Sequence, residues 1–123
     1  MTPAEMKTRT QEFALRVIHC VESLPKNRVS DILGRQLLRS ATSVGANYRA
    51  ACRSRSDADF QARMGIVEEE ADETLYWMEL LVQANLVKRD RLENLMQEAE
   101  ELLRIVVASI KTVKNRTRKP RSA

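Results

Sequence analysis

The sequence predicts an all-α chain, an antiparallel up-down-up-down four-helix bundle that self-associates into a homo-oligomer. Two observations carry the bundle. Apolar residues recur at helical spacing in four blocks separated by short polar links, and Gly and Pro number only three each in 123 residues. A third, apolar area on helix 3 beyond what one core needs, points to self-association. The length matches one domain able to bury a core without disulfides or metal.

Helix 1 is predicted over about 3–24, with Thr2 as cap and Pro3 in the first turn. Met6, Phe13, Val17, Cys20 and Leu24 form its stripe. Pro25 disfavours helical geometry at Leu24 and ends it. Helix 2 spans about 28–53, capped by Asn27 or Ser30. Leu33, Leu37, Ala41, Val44, Tyr48 and Cys52 share its core arc. Gly34 and Gly45 each cost about 0.5–1 kcal/mol relative to Ala in a helix, which predicts close packing contacts there.

Helix 3 spans about 57–85, with Ser56 as cap and Asp57 and Asp59 favouring its dipole. Phe60, Met64, Val67, Ala71, Leu75, Met78 and Leu81 form a full core stripe. Ile66, Trp77 and Leu80 lie on a second arc mixed with Glu70 and Glu73, and these five are the expected oligomer interface. Asn85 ends the helix. Helix 4 spans about 90–114, capped by Asp90, and 116–123 reads as a basic disordered tail. Short links make neighbouring helices antiparallel.

The net charge of +4 hides strong segregation. Residues 26–55 hold seven bases and only Asp31 as an acid, whereas 56–101 hold thirteen acids and four bases. On a wheel at about 100° per residue, Arg28, Arg35, Arg39, Arg49 and Arg53 fall within roughly a quarter of the helix 2 circumference, opposite its core arc. Together with Arg55, Lys114, Arg116, Arg118 and Lys119 they form the candidate nucleic-acid-binding set, able to meet successive phosphates of RNA or DNA. The same stripe also suits a solvated face, or one salt-bridged between subunits. Aromatic residues are too few for base stacking to dominate, so binding would be electrostatic and non-specific.

Other chemistries find little support. His19 is the sole histidine, Arg16 stands three residues before it, and no Glu-x-x-His pair exists for a di-metal bundle. No nucleophile, base and orienting group stand out, so no catalytic residue, metal or cofactor is assigned and the chain is expected not to be an enzyme. Cys20 and Cys52 read as buried free thiols in a reducing compartment. With neither a membrane-spanning run nor a signal core, a cytoplasmic location is the expectation. Ser43, Asn47 and Glu73 are expected as structural polar groups, with Asn47 and Glu73 paired to fix helix register. A protein-protein scaffold, with charged faces serving oligomerisation and partner docking, is the alternative function.

Between Leu24 and Val87 the chain resembles the four helix bundle protein family, also called the 23S rRNA-intervening-sequence proteins. The likeness rests on Ser43-Val44-Gly45-Ala46-Asn47, on Arg39-Ser40-Ala41, on Glu68-Glu69-Glu70-Ala71-Asp72-Glu73 and on Tyr76-Trp77-Met78-Glu79-Leu80-Leu81. Where many members continue Ile-Ala-Glu-Gly after the Asn, this chain has Tyr48-Arg49-Ala50-Ala51, which removes an acid and makes the face more basic. Such families are similar in fold to the accessory protein of diversity-generating retroelements, a pentameric, positively charged barrel that binds nucleic acid and a reverse transcriptase. The resemblance implies a ring-like homo-oligomer here, a homopentamer.

Overall fold

A computed structural model of the protein describes residues 1–117, and these form four α-helices with no strand among them. They are α1 (Pro3–Glu22), α2 (Arg28–Ala51), α3 (Asp57–Gln83) and α4 (Arg89–Thr117). Each helix packs on the next and α1 also packs on α4, which closes a four-helix bundle. The α1–α4 seam is the sparsest of the four. Among the described residues, no helix is long and apolar enough to cross a membrane.

Capping side chains start three of the helices. Thr2 accepts from the Glu5 amide at 3.1 Å, Asn27 from Ser30 at 2.8 Å and Ser56 from Asp59 at 3.0 Å. Asn27 rather than Ser30 is therefore the α2 cap. α1 stops at Glu22, earlier than Pro25 requires, because the Ser23 hydroxyl and amide both bond back to the Cys20 carbonyl. α4 starts at Arg89, so Asp90 occupies its first turn instead of capping it. Its far end reaches Thr117, past the expected Lys114.

Asn85 adopts φ 60°, and the amides of Asn85 and Leu86 bond to the carbonyls of Val82 and Leu81, both at 3.0 Å. This is a Schellman stop with the left-handed residue supplied by Asn. It turns Leu86 and Val87 back onto the core. Asn85→Val, β-branched at a left-handed position, should cost about 1–2 kcal/mol in urea unfolding, with the helical content of the folded state unchanged.

The core is continuous through all four helices, with Phe13 and Val17 of α1, Leu37 and Val44 of α2, Met64 and Met78 of α3, and Leu102 and Val106 of α4 almost wholly buried. A side chain at Gly45 would place its Cβ 3.2 Å from Thr10 Oγ1, and one at Gly34 would reach 3.0 Å from Leu24 Cδ1. Both glycines therefore let α1 approach α2 closely. Nothing lies within 4 Å of the corresponding position at Gly65. Gly65→Ala should thus raise the unfolding free energy by about 0.5–1 kcal/mol. Gly45→Ala should show no such gain, because Thr10 is held by the Met6 and Lys7 carbonyls and crowding offsets the helix propensity. Thermal melts of the two variants side by side check this.

Candidate nucleic-acid interface

The arginine stripe of α2 does not behave as one unit. Arg39 turns toward α3, where Nη2 donates to Glu73 Oε1 at 2.6 Å and Nη1 to Glu70 Oε2 at 3.1 Å. Trp77 Nε1 donates to the same Glu73 oxygen at 3.1 Å. Glu73, and after it Glu70, hold the Arg39 guanidinium charged and raise its pKa. Arg39 and then Trp77 hold the Glu73 carboxyl below the usual carboxylate range. Arg39 is thus a clamp between α2 and α3, ion-paired within its own chain while half its side chain stays exposed.

The expected Asn47–Glu73 pair is not formed either. Asn47 donates to the Ser43 carbonyl at 2.8 Å, and Ser43 to that of Arg39 at 2.7 Å, so both bond along their own helix. The buried polar link between α2 and α3 is instead the hydroxyl pair Thr74 Oγ1 and Ser40 Oγ, 3.0 Å apart, with Thr74 also donating to the Glu70 carbonyl at 2.7 Å and Ser40 in reach of the Leu37 carbonyl at 3.2 Å. Both residues are fully buried. Their positions carried a signal: Ser40 lies three residues after Leu37, and Thr74 three after Ala71, on the core faces.

Of the expected oligomer face, Glu70, Glu73 and Trp77 have partners inside the chain, and Trp77 packs half-buried against the core with its ring edge-on to Tyr76 at 5.0 Å. Leu80 is half-buried, and Ile66 remains 45% exposed. Tyr76, Val29 and Ile32 are large exposed apolar side chains that the sequence pattern did not mark.

Arg28, Arg35, Arg49, Arg53 and Arg55 are all exposed, and among the described residues none of them enters an ion pair. Arg49 and Arg53, one turn apart, line a cleft of about 260 Å³ with Lys7, Thr8 and Gln11 of α1. Three cations and two neutral hydrogen-bonding side chains face this space, and no carboxylate does. Arg116 is bound to Asp57 at 2.9 Å, while Lys114 is exposed. Arg118 and Lys119 lie outside the described residues. No group of three or more His, Cys, Asp or Glu side chains able to hold a metal ion occurs among the described residues. Cys20 and Cys52 are free thiols, half-buried rather than buried, and burial pushes the Cys20 thiol pKa up.

The family model of the 23S rRNA-intervening sequence protein matches residues 4–108. The chain belongs to that family. A solved structure similar to it is a protein with unknown function from the S23 ribosomal protein family of Bacteroides thetaiotaomicron, 33% identical, with a TM-score of 0.83 over 90% of this chain and 99% of that one. No curated protein matches the chain. The family match takes in the Lys7–Arg49–Arg53 cleft and stops before Lys114 and Arg116.

Proposed function

We propose that this chain is a binding protein rather than an enzyme: an oligomeric helical bundle that holds nucleic acid non-specifically through the exposed cations of α2, centred on Arg49, Arg53 and Lys7. The single observation that carries this is the acid-free cleft those three residues line. Arg28, Arg35 and Arg55 extend the surface. From Arg28 to Arg49 it runs roughly 30 Å along α2, a length over which a strand presents several phosphates. Lys114, Arg118 and Lys119 join the set as further phosphate contacts.

The helices alternate up-down-up-down in this proposal. Supporting it, Gly45 lies against Thr10 and Gly34 against Leu24, Arg116 meets Asp57, and Arg9 meets Glu98. Self-association into a ring, a homopentamer by the family likeness, is supported by the exposed Ile66, Tyr76, Val29 and Ile32. A ring would multiply a modest patch through avidity.

A salt titration of binding to labelled RNA and to duplex DNA tests the function. Affinity should fall linearly on a log–log plot, and Arg49→Ala should reduce the slope by about one unit, uniformly across sequences. No binding at about 50 mM salt, where counterion release is strongly favourable, would overturn the proposal.

A further inference from the structure

Toward the other end of α1 a second and larger cleft, of about 750 Å³, opens between α1, the link after α3 and the start of α4. Arg16, Lys88 and Arg91 line it with His19, and no Asp or Glu does. None of the three cations is ion-paired among the described residues. The apolar part of its wall is Leu86 and Val87, half-buried and turned inward by the left-handed Asn85, with Leu92 and Leu95 of α4 almost wholly buried behind them. Ser23 and Asn94 add neutral hydrogen-bonding groups. The space exists because α1 and α4 pack sparsely, and their ion-pair clamp at Arg9 lies about two turns before Arg16.

Arg16, Lys88 and Arg91 are exposed, and with no carboxylate among the lining they present unopposed positive charge around one opening. They complement a ligand with about three or more negative charges. The apolar wall asks for an organic group on that anion. The volume falls in the range of small-ligand sites, roughly 300–1,000 Å³.

We propose that this cleft binds a nucleoside triphosphate, with the phosphates on Arg16, Lys88 and Arg91 and the base against Leu86 and Val87. The site shares no residue with the Lys7–Arg49–Arg53 surface, so it stands or falls independently of nucleic-acid binding.

Calorimetry of the full chain with ATP, tripolyphosphate and adenosine at low salt tests the proposal. ATP should bind saturably, one per chain, and more tightly than either fragment. Arg16→Glu and Arg91→Glu should each weaken it at least about tenfold, whereas Arg49→Glu should not. Cys20 lines this cleft and Cys52 does not, so ATP should slow alkylation of Cys20 alone, as read by mass spectrometry. That measurement uses the unmodified protein and decides the matter if a variant fails to fold. Absence of saturable binding up to roughly 1 mM ATP, binding indifferent to the charge reversals, equal binding of tripolyphosphate, or unchanged Cys20 alkylation would each overturn it.

Discussion

Reversing Arg49 and Arg53 to Glu together is expected to lower affinity for RNA and DNA by at least about a hundredfold at low salt. Each substitution removes a counterion-releasing contact and places a carboxylate where a phosphate would lie. Both side chains are exposed and lie outside the core, so circular dichroism and the melting temperature should stay near wild type. Arg39→Glu provides the contrast. Its guanidinium is occupied by Glu70 and Glu73, so reversal should loosen α2 from α3 with little direct effect on affinity. Should the Arg49/Arg53 pair leave affinity intact and break the oligomer, the scaffold alternative would replace nucleic-acid binding. Sedimentation run beside the binding assay separates the two.

The largest single loss of stability from an ion pair is expected at Arg9. Its Nε and Nη2 grip Glu98 at 2.8 and 2.7 Å, and Nη2 also reaches Glu101 at 3.0 Å. Arg9 and Glu98 are only 22% and 17% exposed, so solvent screens them less than it does the other pairs. Glu98, and after it Glu101, drive the Arg9 pKa above its ordinary value. Arg9→Leu strands a largely buried carboxylate and should cost about 1–3 kcal/mol, a melting point lower by roughly 4–12 °C. Replacing both partners with Leu should cost much less than the sum of the single changes, since the only charge left without its partner is Glu101, which is 57% exposed and hydrated. Additive losses in that double-mutant cycle would show that the two side chains do not couple.

The helices were readable because periodicity and capping agree. Thr2, Asn27, Ser56 and Asn85 mark ends that the backbone adopts almost residue for residue. The arginine stripe was readable as a face but not as a set of contacts. Arg39 and Arg49 lie near opposite edges of that stripe, about 80° apart on the wheel. One edge borders the acidic α3 and the other borders α1, and a single helix's pattern cannot say which neighbour stands where. For the same reason Glu73 drew the long reach of Arg39 rather than the shorter Asn47. Both clefts escaped the pattern because side chains from separate helices and a link create them.

The thin seam between α1 and α4 also has a dynamic consequence. α1 shares less contact with its neighbours than α2, α3 or α4 does. It is therefore the segment whose transient release disturbs the remaining three least, and its amides should exchange with deuterium ahead of those in α3. A molecule wedged into the seam would have to leave before α1 swings out, so it would slow that opening while leaving the motions of α2 against α3 untouched.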